Sequence, residues 1–397
     1  MQKADGNALQ RLARSGSMHT PREIAGQTGF WKDSAERVFS AGALLEALME
    51  GRAPVFAGAG SSDYVGRSVV PCFGRRSGLW ATAIPTTTLL TDLPGAVPAG
   101  TPCLMVLFSR SGNSPESLAV FEQMRRRPEA RFLVVTCNPD GALNRLAAEH
   151  GEVVDSIVLH EGTCDKGLAM TASFTNMVVA GQALAHLDRQ TDYLSWLAEL
   201  RKGAERLMQR YSDKLQELAM ARFRRAVFLG TGALNGAAWE SSLKLRELTD
   251  GSIETMAETF LGLRHGPKVM IDEHTLVVYY VSQEPSVARY ELDLMAEVQR
   301  DGVAMTTVAV APALSDEARG LVDVTIEYGP QVGADVDADA DAGSDAFRVP
   351  DALRAPVNVI VGQLLGLFKC LDLGLSPDEP SRRGLIHRVV KGVKVYS

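Results

Sequence analysis

The sequence predicts an α/β fold in which one parallel-sheet unit is used twice. The first observation is a series of short apolar runs, each ending in turn residues and followed by a helix-like segment: VFAGAGSS from Val55, LMVLFSRSG from Leu104 and FLVVTCNPDG from Phe132. The second is a matching series at offsets of 172, 172 and 174 residues: VFLGTGALNG from Val227, LVVYYVSQEP from Leu276 and TTVAVAPAL from Thr306. The third is that these runs are apolar along their length, as in parallel strands covered on both faces.

The length of 397 residues also suits two domains. Helix-like segments precede the first unit and connect it to the second. We expect the following organisation: an N-terminal helical segment at 1–50, the first unit at 51–190, a helical connection at 191–222, the second unit at 223–376 and a C-terminal tail near the active site at 377–397.

Composition excludes some classes of partner. The chain is 46% hydrophobic and 22% charged, with a formal net charge of -7, which argues against nucleic acid or an anionic membrane as the main partner. The five cysteines are scattered without a CxxC, so we expect free thiols, mostly buried. With no signal peptide and no apolar run of membrane-spanning length recognised, we expect a cytoplasmic protein.

One acidic segment of low complexity stands apart from the units. The sequence QVGADVDADADAGSDA covers residues 331–346. Its glycine is one place late for a calcium-binding EF-hand loop and no glutamate closes that loop, so a solvated surface loop is the better interpretation. We expect no metal site and no cofactor.

Glycine-containing turns follow the first strand of each unit. GAGSS at Gly58–Ser62 and GTGAL at Gly230–Leu234 resemble the start of a dinucleotide fingerprint. Neither completes GxGxxG, and no acidic residue ends the next strand, so a dehydrogenase is disfavoured. Both are at least tight turns that let the backbone pack closely.

The loop SRSGNSPES after the second strand run is more specific. Ser114 suits a helix N-cap, Pro115 the first helical turn and Glu116 the positive end of the helix dipole. Free N–H groups would then point into the loop beside the hydroxyls of Ser109, Ser111 and Ser114, an arrangement that suits a phosphate monoester. A polar strand-to-helix turn with an ordinary cap explains the same residues equally well.

Two segments of the second unit carry candidate acid–base groups. In AAWESSLKLRELTDG, Glu240, Lys244 and Glu247 fall on one helical face, where Glu240 and Lys244 could form a surface ion pair and Glu247 could be solvated. Because this helix follows the GTG turn, the same face could instead line a ligand cleft. Downstream, LGLRHGPKVMID places His265 in a His-Gly-Pro loop, which suits an exposed imidazole, although a lone histidine is usually structural.

The segments GAGSS and SRSGNSPES resemble the sugar isomerase (SIS) domain, a flavodoxin-like unit that binds phosphosugars. The resemblance covers both units and implies two tandem flavodoxin-like SIS domains, each a parallel sheet flanked by helices. It implies that Ser62 contacts the sugar. The residues that it assigns to substrate or phosphate binding are Gly60, Ser61, Ser62, Ser109, Arg110, Ser111 and Ser114.

The helix and the HGP loop match SIS enzymes that isomerise sugar phosphates. By that resemblance, Glu247 would move a proton between C1 and C2, and His265 would open the sugar ring, reaching across a homodimer interface. Lys391 falls where related aminotransferases use a lysine, and is either a substrate contact or a surface residue. The chain departs from its relatives at His387, where they commonly have an asparagine.

The chain resembles AgaS-type proteins more closely than SIS enzymes in general; these are galactosamine-6-phosphate deaminase/isomerases, also called tagatose-6-phosphate ketose/aldose isomerases. It rests on REIAGQTGFW, SRSGNSPES, DKGLAMTASFT, ESSLKLRELTDG, GLRHGPK and SPDEP…HRVVKGV. The function that it implies is conversion of a hexosamine 6-phosphate to a ketose 6-phosphate and ammonia. The alternatives are isomerisation of a neutral sugar phosphate and deamination of glucosamine 6-phosphate.

Two other classes are disfavoured. A glutamine-dependent synthase needs a glutaminase domain with an early cysteine nucleophile, yet about fifty residues precede the first unit and no cysteine precedes Cys72. A phosphosugar sensor usually carries a helix-turn-helix or lacks the acid–base residues, whereas this chain keeps Glu247 and His265. The sequence therefore predicts an enzyme with a phosphorylated sugar as substrate.

Overall fold

The computed structural model describes residues 6–74, 80–330, 347–390 and 392–396. Within these residues the chain forms two compact units. The first unit comprises Gly16–Leu194 and Ser376–Ser397, and the second comprises Met1–Ser15 and Ser195–Leu375. Strands β1–β10 and helices α1–α16 are numbered along the chain.

The first unit is a five-stranded parallel sheet with the strand order β2-β1-β3-β4-β5. Its long runs of valine, leucine and phenylalanine are buried because helices cover both faces. The strands are β1 (Ala53–Ala57), β2 (Thr82–Ala83), β3 (Cys103–Ser109), β4 (Ala130–Thr136) and β5 (Val154–Val158).

Nine helices lie wholly within the described part of the first unit. Three of them occupy the region predicted to be helical before the first strand. The nine are α2 (Thr20–Gly26), α3 (Trp31–Ser40), α4 (Gly42–Met49), α5 (Ser61–Gly74), α6 (Thr86–Thr91), α7 (Leu93–Ala96), α8 (Pro115–Met124), α9 (Ala142–Glu149) and α10 (Ala172–Leu184). The 31-residue helix α11 (Gln190–Met220) follows in the segment expected to connect the units, and from Ser195 onward it belongs to the second unit.

The second unit repeats the architecture, with the strand order β10-β9-β8-β6-β7. The strands are β6 (Arg225–Gly230), β7 (Glu254–Glu258), β8 (Thr275–Tyr280), β9 (Thr306–Ala311) and β10 (Val324–Glu327). The helices besides the main part of α11 are α1 (Ala8–Ser15), α12 (Ala233–Leu248), α13 (Phe260–Leu263), α14 (Pro285–Asp301), α15 (Asp316–Gly320) and α16 (Ala355–Asp372).

Both sheets have the flavodoxin-like order, 2-1-3-4-5 when the strands of each unit are counted in sequence. The predicted fold class is therefore confirmed. In such sheets ligands bind outside the carboxyl ends of the strands where the strand order reverses. That switch point lies between β1 and β3 in the first unit and between β6 and β8 in the second.

The glycine turns at these switch points are duplicated in detail. A Cβ on Gly58 would lie 2.5 Å from the Ser62 side chain, and one on Gly230 would lie 2.3 Å from the Leu234 carbonyl oxygen, so both positions exclude a side chain. The next glycine in each turn has a positive φ, +58° at Gly60 and +60° at Gly232. The prediction that both are tight turns is confirmed.

Helix α16 is long and apolar enough by composition to cross a membrane. In this structure 89% of it is buried inside the protein, as is typical of a core helix. It packs against α12, the helix that carries the candidate acid–base residues.

The remaining predictions concern the cysteines and the acidic segment. All five cysteines are free thiols, and Cys72, Cys103, Cys137 and Cys370 are buried, as expected. The segment 331–346 lies outside the described residues.

Candidate functional site

A small cavity of about 100 Å³ lies at the carboxyl end of the first sheet, at the switch point. It brings together residues from the turn after β1 and from the loop after β3. Five predicted phosphate or sugar contacts line it: Ser62, Ser109, Arg110, Ser111 and Ser114. Ser117, Met170 and the tail residues Arg388, Val389 and Val390 form other parts of the wall.

The loop after β3 holds its own shape through its serine hydroxyls. Ser109 Oγ accepts the Gly112 amide at 3.0 Å, and Ser111 Oγ accepts the Asn113 amide at 3.2 Å. Gly112 has a φ of +66°, and a Cβ there would lie 2.9 Å from the Cα of Gly141. Only glycine fits this close approach, which fixes the position of the hydroxyls at the cavity.

Helix α8 begins at Pro115 with Ser114 in the N-cap position, as predicted. The prediction that the Ser114 side chain caps the helix is wrong, because its hydroxyl donates to Glu116 Oε2 at 2.8 Å instead. Among the described contacts, the amides of Glu116 and Ser117 in the first turn have no hydrogen-bond acceptor. The helix therefore presents N–H donors at the cavity, the arrangement that binds anions at helix N-termini.

The Arg110 guanidinium is buried beside the cavity and contacts backbone carbonyls. It donates to the carbonyls of Gly167 at 3.3 Å and Leu168 at 3.0 Å, and to that of Arg388 at 2.5 Å. Arg110 thus supplies positive charge at the cavity and also ties two loops to the strand end.

The C-terminal tail is held against the first unit by further hydrogen bonds. Arg388 Nε donates to the carbonyl of Asp165 at 2.7 Å. The buried Asp165 carboxylate accepts the amides of Thr171, Ala172 and Ser173 at 2.9–3.0 Å, so it caps the start of α10. The sequence-based expectations did not include this contact, because Asp165 lies six residues before Thr171, outside the N-cap position of α10.

The other predicted contacts fall elsewhere. Gly60 forms the turn before α5, and Ser61 begins that helix with a buried side chain. Neither is among the residues that line the cavity. His387 is exposed, and Lys391 lies outside the described residues.

In the second unit, Glu240, Lys244 and Glu247 form one charged cluster on α12. Lys244 Nζ lies 2.6 Å from Glu247 Oε2 and 3.3 Å from Glu240 Oε1. The pair of Glu240 and Lys244 is present, but the interpretation of it as a surface ion pair is wrong, because both side chains are 0% exposed. Sequence spacing fixes which residues meet on a helix, whereas burial depends on the packing of α16 against it.

The electrostatics of this cluster follow from its burial. Burial lowers the pKa of the Lys244 ammonium, but the charges of Glu240 and Glu247 outweigh that effect, so the pKa of Lys244 is raised above its usual value. The ammonium stays charged and holds Glu247 by a hydrogen bond. The Glu247 side chain is 24% exposed, and its Oε1 has no described partner, which leaves one carboxylate oxygen for a ligand.

His265 lies in the exposed loop between α13 and β8. Its amide donates to the carbonyl of Gly262 at 3.0 Å, and the following Gly266 has a φ of +120°. No hydrogen bond between the side chains of His265 and Glu247 is among the described contacts. The phosphate candidates lie in the first unit, and the acid–base candidates lie in the second.

Among the described residues, no group of three or more His, Cys, Asp or Glu side chains could hold a metal ion.

Comparisons with known proteins agree with this architecture. The SIS domain family matches residues 50–187. An AgaS protein of Streptomyces coelicolor is 35% identical over 96% of this chain and 96% of its own. An Escherichia coli D-galactosamine-6-phosphate deaminase AgaS is 33% identical over 86% of this chain and 84% of its own. The crystal structure of tagatose-6-phosphate ketose/aldose isomerase from Escherichia coli has a TM-score of 0.83 and 29% identity, covering 96% of this chain and 97% of that one.

Proposed function

We propose that this chain, which belongs to the AgaS family of SIS-domain proteins, is a sugar-phosphate deaminase/isomerase. Its substrate is galactosamine 6-phosphate or a similar hexosamine 6-phosphate, and its products are a ketose 6-phosphate, tagatose 6-phosphate in the first case, and ammonia. The observation that carries the proposal is the serine-lined cavity at the switch point of a chain similar along its length to AgaS proteins.

The cavity supports phosphate binding as the first step. The Ser111 hydroxyl, the free first-turn amides of α8 and the buried charge of Arg110 favour phosphate oxygens. The Ser114 hydroxyl would become a further donor by turning from Glu116 Oε2 to the ligand. Ser62 would contact the sugar, and Gly60 and Ser61 shape the preceding turn. Lys391 remains a candidate substrate contact.

Glu247 is the proposed acid–base residue. After His265 helps to open the ring, Glu247 removes the proton at C2 of the amino aldehyde, which gives an enolamine. The carboxyl then returns the proton to C1, leaving an imine at C2. Water adds to that imine and ammonia leaves, so the products are the ketose phosphate and ammonia. The bond from Lys244 supports this role because it holds one Glu247 oxygen and leaves the other for the substrate.

We also propose a cytoplasmic homodimer in which His265 acts in the partner's site. The exposure of His265 in its loop supports this arrangement. Mixing the inactive Glu247→Gln and His265→Asn variants under conditions of subunit exchange should restore activity, because half the sites of a mixed dimer then combine intact groups. If mixing restores no activity while mass measurements show exchange, His265 does not cross between subunits.

The domain limits are part of the proposal. We assign an SIS domain to 51–190 and a second to 223–376, flanked by the segments 1–50, 191–222 and 377–397. The SIS family match at 50–187 supports the first limit, and the equal strand orders support the second domain.

The substrate class is tested by product analysis. Purified protein is given galactosamine 6-phosphate, glucosamine 6-phosphate and a neutral aldose 6-phosphate, and ammonia and ketose are followed separately. We expect equal amounts of ammonia and ketose from an amino sugar. Ketose from the neutral aldose phosphate, with no ammonia from either amino sugar, would contradict the deaminase proposal. It would support the second candidate, aldose–ketose isomerisation, which the similarity to a tagatose-6-phosphate isomerase structure favours.

A further inference from the structure

The switch point of the second unit has the same backbone construction as the phosphate cavity of the first. The turns after β1 and β6 share the crowded glycine and the positive-φ glycine two residues later. At the constant offset of 172 residues, Thr231 occupies the place of Ala59 in the turn, and Ser282 occupies the place of Arg110 after the neighbouring strand. A corresponding anion site is therefore expected between the turn after β6 and the loop after β8.

In this structure a carboxylate from the same unit fills that place. Glu291 of α14 is only 1% exposed, and its two oxygens contact both sides of the switch point. Thr231 Oγ1 donates to Oε1 at 2.6 Å, and the Ser282 amide donates to Oε2 at 2.7 Å. A hydroxyl and a backbone N–H are the same kinds of donor that the first unit presents at its cavity.

A second carboxylate takes the next amide of the loop. The Gln283 amide donates to both oxygens of Asp351 at 3.1 Å, and the Ser282 hydroxyl also donates to Asp351. Arg354 balances this charge, because its Nη1 donates to Asp351 at 2.6 Å. The donors of the loop after β8 are thus occupied from within the unit.

The loop of the first unit differs at the matching places. The Ser111 amide has no acceptor among the described contacts, and the Ser111 hydroxyl lines the cavity. Phe121 occupies the place on α8 that Glu291 occupies on α14, counted from the proline that begins each helix, and it is buried in the apolar core. Leu234, which is fully buried, stands where the first unit has Ser62. In the first unit the loop donors are available to a ligand, whereas in the second unit the Glu291 side chain accepts from the corresponding donors.

We propose that the Glu291 carboxylate is a built-in substitute for a phosphate, which keeps the second unit from binding an anion and limits each chain to one phosphosugar. Removing the side chain should expose a latent site for a phosphate group, formed by Thr231 and the Ser282 amide. The inference rests on the proposed phosphate site of the first unit, so its test must treat the two sites separately.

Four proteins titrated with inorganic phosphate in a calorimeter achieve that separation. We expect one phosphate site in the wild type, and a roughly tenfold or greater loss of affinity at that site in Ser111→Ala. Glu291→Ser should show two sites. The double variant Ser111→Ala/Glu291→Ser should keep only the site of the second unit at full strength. No site in the wild type would contradict the phosphate site of the first unit. If Ser111→Ala/Glu291→Ser binds no more phosphate than Ser111→Ala does, the inference is overturned, whatever the wild type binds.

Glu291→Gln is the matched control, because its amide keeps the volume of the side chain. In the Ser111→Ala background it should gain no site. A second site there would overturn the claim that the side chain occupies the phosphate position. If Glu291→Ser does not fold alone, millimolar phosphate should restore its cooperative thermal transition while chloride of equal ionic strength should not. Equal behaviour in the two salts would overturn the inference.

Discussion

The two switch points of this chain have the same strands and the same glycine turns but opposite contents. In the first unit the serines and free amides surround an open cavity of about 100 Å³. In the second the equivalent donors are bonded to Glu291 and Asp351. The duplicated fold provides two places where an anion could bind, and a few side chains decide which of them remains available.

The second unit provides instead the charged cluster of α12. Lys244 is buried between Glu240 and Glu247, and only Glu247 reaches solvent. We interpret the difference between the units as a division of labour, in which the first binds the phosphate and the second carries the proton transfer.

The largest expected effect is on turnover. Glu247→Gln removes the proposed proton carrier and should lower kcat by about 10²–10⁴-fold, with little change in phosphosugar affinity. Steady-state kinetics and calorimetry measure both quantities. The control is Glu254→Gln, an exposed glutamate of the same unit, which should keep its activity. Full activity in Glu247→Gln would remove the catalytic assignment.

The next largest effect is on stability and tests the burial of the cluster. Lys244→Met leaves two carboxylates without their cation and should reduce the free energy of unfolding by about 3–5 kcal/mol. Adding Glu240→Gln should recover part of that loss. The control is Lys32→Met, which breaks an exposed pair with Glu36 and should cost no more than about 1 kcal/mol. Equal losses in the two lysine variants, measured by denaturant titration, would show that the cluster is not buried.

The pH dependence of stability tests the filled switch point. Burial raises the pKa of Glu291 from 4.5 to about 7, although the bonds from Thr231 and Ser282 lower it. The folded protein therefore binds the Glu291 proton more tightly than the unfolded chain does. Protonated Glu291 contributes fully to the free energy of unfolding below pH 4.5, and this contribution is lost as the pH rises to about 7. The loss is on the order of 3 kcal/mol.

Glu291→Gln should lack this contribution. Because the pKa of Glu23 is also raised to about 7 by burial, the wild type and the variant must be compared at each pH. Parallel stability curves between pH 4.5 and 7 would show that Glu291 is not held as described.

The smallest expected effect concerns the open cavity. Ser111→Ala removes one donor to a charged group and should weaken phosphosugar binding by about 1.5–3 kcal/mol, or roughly 10–150-fold, with a smaller change in kcat. Ser40→Ala, an exposed serine of α3 in the same unit, is the control. Unchanged affinity in Ser111→Ala would contradict the assignment of the cavity to phosphate.

The sequence predicted the fold well because the relevant signals are local. Each apolar run became a parallel strand, and Gly58 and Gly230 took matching turns, since strand and turn preferences depend on adjacent residues. The start of α8 at Pro115 followed for the same reason.

The site was only partly predictable because its remaining contacts depend on packing between distant segments. The spacing of Glu240 and Lys244 is the same on a surface and in a core, so their burial against α16 could not be inferred. The Ser114 hydroxyl donates to Glu116 instead of accepting from the helix amides. Arg110 donates to backbone carbonyls more than fifty residues away in the sequence. No local sequence pattern indicated the role of Glu291, because its hydrogen-bond partners Thr231 and Ser282 lie in two separate loops earlier in the chain.

The most direct test of the division of labour is a crystal structure with a hexitol 6-phosphate, an open-chain compound that cannot react. We predict its phosphate in the first unit, within hydrogen-bond distance of the Ser111 and Ser114 hydroxyls, with Glu291 still bonded to Thr231 and Ser282. A phosphate bound at Thr231 and Ser282 in place of Glu291, with the serine-lined cavity empty, would contradict the account.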